Sequence, residues 1–157
     1  MPEITVERWQ DLYDRAFPQV YRALMAATLD RDRALDGLHD AFEEGMRHPP
    51  SDDRNLEGWL YRVALRKTRR GLFRAARETV MRERPSEDPT MRVLRRLEVG
   101  ELLALLSERQ RTIIVAHYYL GLTQEEIAEA LGIRRGTVSA TVSQSLARMR
   151  RKGAEHA

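Results

Sequence analysis

Apolar residues recur at the spacing of an α-helix along the whole chain, and this feature restricts the possible folds more than any other. Near the start of the chain they step alternately by three and one positions, at Trp9, Leu12, Tyr13, Ala16, Phe17, Val20, Tyr21 and Leu24. Such steps place the residues on one face of a helix, whereas a half-buried strand would alternate apolar and polar residues. The pattern therefore predicts an all-α fold.

Prolines and short polar residues predict the helix boundaries in the first half of the chain. Pro18 disfavours helix at the preceding residue but suits the first turn of a helix, so we expect two helices, 5–17 and 18–28. A third helix is predicted over about 32–47. The segment 48–55, HPPSDDRN, is predicted to be a loop that leads into a long helix.

The segment PSEDPT is the clearest break in the chain. It contains two prolines and two acidic residues but no apolar residue, so it cannot contribute to a core. We therefore expect two small helical domains joined by a short flexible linker. The first domain is predicted over 1–84, the linker over 85–91 and the second domain over 92–157.

Two capping patterns mark helix starts in the second half of the chain. Ser107 with Gln110 forms S-x-x-Q, and Thr123 with Glu126 forms T-x-x-E. The helices that they open, RTIIVAHYYL and QEEIAEAL, each end at a glycine, which is the preferred residue just after a helix. A last helix is predicted from near 136 to about 152.

The segment 123–151 carries the pattern of a helix-turn-helix. A short helix ends at Gly132, Ile133 fills the turn, and a second helix begins within a few residues. In this motif the second helix enters the major groove of DNA, and its first residues reach the base edges. An ordinary helical hairpin is the alternative, but the outward positions here are largely polar. The residues predicted to face DNA are Arg134, Arg135, Thr137, Ser139, Ala140 and Ser143.

Charge is unevenly distributed, although the formal net charge is only +3. Residues 1–60 carry a net charge of −6, residues 61–84 carry +7 and residues 85–157 carry +2. A basic block of this density is typical of a surface that meets phosphates, because each neutralised phosphate releases counterions. A solvated, arginine-rich helix face is the alternative interpretation.

Several classes of functional site lack the residues that they need. The chain has no cysteine, which excludes disulfides, thiolate catalysis and cysteine-bound zinc and suits a reducing cytoplasm. No histidine has a partner at metal-ligand spacing, and the adjacent Glu43 and Glu44 point to different sides of a helix. The chain has no phosphate-binding glycine loop, no apolar run of about 18 residues and no signal-peptide pattern. We therefore expect a cytoplasmic, non-enzymatic protein without metal, cofactor or membrane insertion.

The second half resembles region 4 of the bacterial sigma-70 family of sigma factors. The resemblance lies in LSERQRTIIVAHYYLGLTQEEIAEALGIRRGTVSATVSQSLARMRRK, with its S-E-R-Q-R helix, its Tyr118–Tyr119 pair and its Gly-Thr-Val. In the first half, LYDRAFPQVYRALM, ALDGLHDAFEEGMR and LEGWLYRVAL resemble successive parts of region 2. Two domains joined by a short linker resemble the extracytoplasmic-function group. The resemblance implies a protein that directs core RNA polymerase to specific promoters and assists transcription initiation.

The resemblance also implies a role for each segment. One helix is implied to dock on the clamp of the polymerase β′ subunit, through Asp36, His39, Asp40, Phe42 and Glu43. The loop 48–55 and the basic helix after it are implied to bind the −10 promoter element, through Arg54, Asn55, Trp59, Arg62, Arg66, Lys67, Arg69 and Arg70. The helix-turn-helix is implied to read the −35 element, and the surface at Tyr118, Tyr119 and Leu120 to lie near the β flap. A further implied partner is an anti-sigma factor that wedges between the two domains.

Three features depart from the pattern of the family. The clamp helix has His39–Asp40 where Gln–Glu is usual, the basic helix has Arg66 and Arg70 where an asparagine and an aspartate are common, and the recognition helix is poor in Lys and Arg. These changes leave open a sigma-like protein that binds an anti-sigma factor or another regulator without initiating transcription. A homodimeric helix-turn-helix repressor is a third alternative, but it gives the first domain no role.

Overall fold

The computed structural model describes residues 6–51, 54–78 and 98–155, and all regular structure within these ranges is helical. The α-helices are α1 (Val6–Thr28), α2 (Arg31–Arg47), α3 (Leu56–Glu78), α4 (Glu98–Ala104), α5 (Glu108–Ile114), α6 (Gln124–Leu131) and α7 (Arg135–Glu155), and a π-helical turn, Val115–Tyr119, continues α5. The prediction of an all-α fold is confirmed. The predicted linker, 85–91, lies outside the described residues. We refer to 6–78 as the N-terminal half and to 98–155 as the C-terminal half.

Helix α1 runs unbroken through Pro18, so the prediction of two helices, 5–17 and 18–28, is wrong. A proline inside a helix removes one main-chain hydrogen bond and costs about 3 kcal/mol. Pro18 is exposed, whereas Ala16 and Val20 on either side of it are completely buried. The packing of a continuous apolar face therefore keeps the two segments in one helix.

Helices α2 and α3 pack on each other and on α1 to form the N-terminal half. The start of α2 is fixed by Asp30, whose carboxylate accepts a hydrogen bond from the main-chain nitrogen of Arg33 at 3.2 Å. The predicted helix 32–47 is confirmed within one residue at its start. Leu24, Leu38 and Leu60 contribute one completely buried side chain from each of the three helices.

Helix α5 begins with the predicted capping box. The Ser107 hydroxyl accepts from the main-chain nitrogen of Gln110 at 3.2 Å, and the Gln110 side chain accepts from the main-chain nitrogen of Ser107 at 3.0 Å. The last turn before Gly121 is wider than an α-helix, with the main-chain nitrogen of Leu120 bonded to the carbonyl oxygen of Val115. Such π-helical turns often occur at functional sites.

The two halves pack directly against each other and share one buried core. Helix α1 lies against α5 and the π-helical turn, and α3 lies against α6. Tyr61 from α3 and Ile113 from α5 are both completely buried in the same cluster. The segments predicted as two domains are therefore joined here by a common apolar interior. None of the helices in the described ranges is long and apolar enough to cross a membrane.

Candidate nucleic-acid and polymerase interface

Helices α6 and α7 form a helix-turn-helix whose turn is built as the sequence predicts. Gly132 ends α6 in the left-handed region, at φ +65°, where glycine has no steric penalty. The main-chain nitrogen of Ile133 then bonds to the carbonyl oxygen of Ala128 at 3.0 Å, which turns the chain back over α6. Val138, one turn into α7, is completely buried where the second helix packs against the first.

The start of α6 is capped by Thr123, although not in the reciprocal form predicted. The Thr123 hydroxyl accepts from the main-chain nitrogen of Glu126 at 3.1 Å, as expected. The Glu126 carboxylate accepts from the same hydroxyl at 3.2 Å and also lies 3.8 Å from the guanidinium of Arg62. Glu126 is therefore turned toward the N-terminal half of the protein.

The residue before α7 and the first turns of α7 present all the predicted recognition residues to solvent. The exposed side chains are Arg134, Arg135, Thr137, Ser139, Ala140 and Ser143. Arg135 forms an ion pair with Glu125 of α6 at 3.3 Å, and both side chains remain largely exposed. On the opposite face, the completely buried Ser145 donates to the carbonyl oxygen of Thr141 at 2.6 Å, so this buried hydroxyl has its partner within the helix.

The loop before α3 and the first turns of α3 line an open cleft of about 520 Å³. Its walls are Pro50, Ser51, Arg54, Asn55, Trp59, Arg62, Gly121 and Glu126. Four of these residues were predicted to bind the −10 element, and the structure brings them together. The cleft also includes two residues of the C-terminal half, which the sequence did not predict.

Asn55 connects the cleft to both halves of the protein. Its side-chain oxygen accepts from the main-chain nitrogen of Gly58 at 3.1 Å, which caps the start of α3. Its side-chain nitrogen donates to the carbonyl oxygen of Leu120 at 2.8 Å. Both ends of the amide are thus engaged within the protein.

The basic residues of α3 have different surroundings. Arg62 is only 18% exposed at its side chain and lies 3.8 Å from Glu126 and 3.5 Å from Glu129, both on α6. Lys67 lies 3.8 Å from Glu44 of α2, whereas Arg66 is exposed. The backbone of residues 69 and 70 belongs to α3, and their side chains lie outside the described part.

The face of α2 that was predicted to dock on polymerase is mostly open to solvent. The exposed members of the predicted set are Asp36, His39, Asp40 and Glu43. Phe42 is 6% exposed and packs against the rings of Trp9 and Tyr13, with centroids 6.4 and 4.6 Å away. Phe42 therefore lies beneath the charged residues and contributes to the apolar floor of this face.

An apolar groove of about 360 Å³ lies beside these acidic residues. It is lined by Trp9, Gln10, Tyr13, His39, Phe42, Glu43 and Met46. Tyr13 and Met46 belong to stripes that the sequence analysis assigned to helix faces, yet they are 36% and 61% exposed. Helical periodicity shows which residues share a face of a helix. It does not show how far along that face the neighbouring helices cover those residues.

The three residues that were predicted to lie near the β flap differ in their exposure to solvent. Tyr118 and Tyr119 are 59% and 43% exposed, whereas Leu120 is 4% exposed. His117 bonds to the carbonyl oxygen of Leu122 at 2.9 Å, which holds the chain after the turn. The exposed aromatic pair is therefore available for a partner, and Leu120 belongs to the core.

Sequence reasoning missed the polar contacts between the two halves. Arg111, 9% exposed, donates to the carbonyl oxygens of Ala27 at 3.2 Å and Leu106 at 2.6 Å. Burial lowers the pKa of the Arg111 guanidinium; nearby Glu108 acts in the opposite direction and Arg33 in the same one. The one signal in the sequence was an arginine on the otherwise apolar face of RTIIVAHYYL.

The chain is similar in sequence to known proteins along most of its length. Residues 96–149 match the family model for sigma-70, region 4. The chain is 27% identical over 150 residues to the ECF RNA polymerase sigma factor SigL of Mycobacterium tuberculosis, covering 88% of this chain and 85% of that protein. It is 34% identical over 104 residues to the RNA polymerase sigma-E factor of Streptomyces coelicolor, covering 63% of this chain and 58% of that protein.

Two solved structures share the fold across both halves. One is the sigma factor RpoE of Bartonella quintana in complex with the anti-sigma factor NepR, with a TM-score of 0.68, 18% identity and coverage of 93% of this chain and 96% of that one. The other is CnrH in complex with the cytosolic domain of CnrY, with a TM-score of 0.62, 22% identity and coverage of 98% and 92%. Residues 96–149 therefore carry a sigma-70 region 4, and the chain is a homologue of extracytoplasmic-function sigma factors along most of its length.

Proposed function

We propose that this chain is a non-enzymatic sigma factor that directs core RNA polymerase to specific promoters and assists transcription initiation in the cytoplasm. The observation that carries the proposal is the helix-turn-helix of α6 and α7, which presents its recognition residues to solvent within a region 4 match. Polar side chains and arginines at the start of such a helix can contact base edges and phosphates.

The N-terminal half supplies two further surfaces in this proposal. The exposed acidic residues of α2 would bind the polymerase β′ clamp, with the apolar groove beside Phe42 adding contact area. The cleft of Arg54, Asn55, Trp59 and Arg62 would bind the −10 element. Extruding a base from a duplex costs a few kcal/mol, so the basic residues along α3 would offset this cost through phosphate contacts.

An anti-sigma factor is a further proposed partner. The sigma factor RpoE, which shares this fold, was solved with such a partner. In this chain the two halves already contact each other through a buried core, so a partner that wedges between them must first separate α1 from α5.

Binding to core polymerase tests the proposal most directly. We would titrate the purified chain, as wild type and as Asp40→Arg, against core RNA polymerase of Streptomyces coelicolor, the source of one relative. Asp40 is exposed on the clamp face, so reversing its charge should weaken binding at least about tenfold through the lost attraction and new repulsion.

Glu101→Arg is the matched control, because Glu101 is exposed on α4 and the substitution changes the net charge equally. The control should bind like the wild type. Equal binding by Asp40→Arg and the wild type would reject the clamp surface, and no binding by any of the three at micromolar concentration would reject the sigma function.

The second candidate is a sigma-like protein that binds a regulator without initiating transcription. The observation that favours it is the engagement of Arg62 by two glutamates of α6, which occupies a residue proposed to contact DNA. The two functions differ in one outcome: a regulator-binding protein would not support promoter-dependent transcription when added to core polymerase.

A further inference from the structure

The exposed face of α7 continues beyond the residues that are predicted to face DNA. In an α-helix, residues three and four positions apart lie on the same face. This spacing runs from the predicted DNA-facing positions to the end of the helix, at Ala140, Ser143, Ala147, Arg150 and Arg151. All five side chains are exposed, and α7 continues past Arg151 without a break. Two arginines therefore lie on the DNA-facing side of the helix, about two turns beyond Ser143.

The packing of the opposite face of α7 fixes this orientation. The residues of that face also step by three and four positions and are buried or partly buried, at Val138, Val142, Ser145 and Met149. They hold α7 against the C-terminal half, where it contacts α4, α5 and α6. The side of the helix that carries Arg150 is therefore turned away from the protein.

The first turns of this exposed face carry little charge. Its central residues, Ser139, Ala140 and Ser143, are short and uncharged. Arg134 adds one exposed charge, whereas Arg135 is paired with a glutamate of α6 at 3.3 Å. A protein that binds DNA gains much of its affinity by neutralising phosphates and releasing their counterions. The arginines at the far end of the same face are placed to add this contribution.

Helix α7 is long enough to cross a major groove and reach phosphates on both sides of it. The major groove of B-DNA is about 12 Å wide. At a rise of about 1.5 Å per residue, Arg135 and Arg150 lie about 22 Å apart along the helix axis. A helix whose middle lies in the groove therefore carries arginines beyond both of its edges, where the two phosphate backbones run.

We propose that Arg150 and Arg151 bind DNA phosphates on the far side of the groove that the start of α7 enters. This role rests on the proposed sigma function and adds a second contact to its helix-turn-helix. Guanidinium groups bind phosphate oxygens through charge-assisted hydrogen bonds. Such a contact raises the affinity for any duplex, because phosphates carry no sequence information, and it leaves the uncharged middle of the helix to meet the bases.

Three arginines at the end of α7 differ in their direction around the helix axis. At about 100° per residue, Arg150 lies within about 20° of Ser143, Arg151 about 80° from it and Arg148 about 140° from it. Arg148 is also exposed, so Arg148→Ala is a control with the same change of charge on the same helix. Arg150→Lys keeps a cation in place. Substitutions at exposed positions change stability little, so all variants should unfold at the urea concentration of the wild type.

The measurement is binding of the full chain to a fluorescein-labelled duplex of about 20 base pairs and mixed sequence. Anisotropy is followed at salt concentrations from about 50 to 200 mM. Each lost phosphate contact should lower the slope of log K against log salt by about 0.9 and the affinity at about 50 mM salt by about tenfold. Arg150→Ala should lose one contact and the double variant with Arg151→Ala should lose two. Arg148→Ala and Arg150→Lys should keep the slope of the wild type.

A second duplex with a different sequence distinguishes a phosphate contact from a base contact. Arg150→Ala should weaken binding to both duplexes by the same factor, because the contact is independent of sequence. A loss confined to one duplex would overturn the proposal and assign Arg150 to a base edge.

An unchanged salt slope in the double variant would also overturn the proposal, as would a wild type that shows no saturable duplex binding at the lowest salt. A double variant that binds the duplex like the wild type but loses binding to core polymerase would assign the arginines to a protein contact instead. None of these results decides the sigma function, which is tested by polymerase binding of Asp40→Arg. Conversely, a chain with the expected salt slopes that never binds polymerase would keep the phosphate contact and lose the proposed function.

Discussion

The phenol of Tyr61 in α3 donates a hydrogen bond to the main-chain carbonyl oxygen of Thr112 in α5, at 3.0 Å. Tyr61 is completely buried and Thr112 is 7% exposed, so the bond lies in the interior between the two halves. A buried hydroxyl without a partner costs about 1–3 kcal/mol, so this bond favours one register of α5 against α3.

Removing that hydroxyl tests its contribution. Tyr61→Phe keeps the ring and loses the bond to Thr112, so the free energy of unfolding in urea at pH 7 should fall by about 1 kcal/mol. Tyr118→Phe is the control, because Tyr118 is 59% exposed and its hydroxyl can bond to water. Equal stability of the wild type and Tyr61→Phe would show that the bond is offset by the cost of burying the phenol.

The same residue should make stability depend on pH in the alkaline range. Burial, with a further effect of nearby Glu108, raises the pKa of the Tyr61 phenol well above its ordinary value. The folded state thus keeps a proton that the unfolded state releases near pH 10, and the stabilisation is complete below that pH and lost as the pH rises above it. The free energy of unfolding should therefore fall above pH 10 by up to about 1.4 kcal/mol per pH unit more in the wild type than in Tyr61→Phe. Parallel curves for the two proteins between pH 9 and 11 would contradict this assignment.

Gly45 should tolerate no side chain. A Cβ there would overlap the ring of Trp9 and lie 3.1 Å from the ring of Trp59, and both rings are held by the packing of α1, α2 and α3. Gly45→Ala should lower the thermal midpoint, at a cost of about 1–3 kcal/mol, and alter tryptophan fluorescence. Gly136→Ala is the control, since a Cβ there meets nothing within 4 Å and alanine favours the helix by about 0.5–1 kcal/mol. A stabilised Gly45→Ala would show that the two rings can move apart.

The cap at Thr123 should stabilise the helix-turn-helix. Thr123→Ala removes the acceptor for the main-chain nitrogen of Glu126 and should cost about 1 kcal/mol in the free energy of unfolding. Thr141→Ala removes a hydroxyl that bonds only back to the carbonyl oxygen of Thr137 within α7, so its cost should be smaller. Chemical denaturation of the three proteins gives the comparison, and equal losses would argue against a special role for the cap.

Arg134 should contribute to DNA binding through its charge. It is exposed at the start of α7, so Arg134→Ala should weaken binding to a duplex carrying the −35 site and reduce the slope of log K against log salt by about 1. Arg109→Ala, exposed on α5, is the charge-matched control. An unchanged salt slope for Arg134→Ala, with binding measured over several salt concentrations, would exclude a phosphate contact.

The fold class and most helix ends could be predicted because the forces that set them act between near neighbours. The capping box of Ser107 and Gln110 and the left-handed Gly132 each involve residues within four positions of one another. Pro18 is the exception, because its local preference for a helix start is outweighed by the burial of Ala16 and Val20 against other helices. That outcome depends on what the helix packs against, which periodicity alone does not show.

The candidate site likewise has a part that could be predicted from the sequence and a part that could not. The outward position of Arg134 and its neighbours was predictable, because a helix with one buried face leaves the others in solvent. The engagement of Arg62 by Glu126 and Glu129 was not, because these residues are more than sixty positions apart in the chain. A basic block in the sequence predicts a phosphate-binding surface. It does not show whether an acidic helix covers part of that surface in the folded protein.

By itself, the sequence determined an all-α chain with a helix-turn-helix and a set of exposed residues that are predicted to face DNA, since helical periodicity, caps and turn glycines are local properties. Only the tertiary structure decided that the two halves share one core, that Arg111 caps the end of α1 through Ala27, and that Arg62 faces acidic residues of α6. The physical reason is that these contacts join residues from 51 to 84 positions apart, where burial and charge pairing depend on how whole helices are placed.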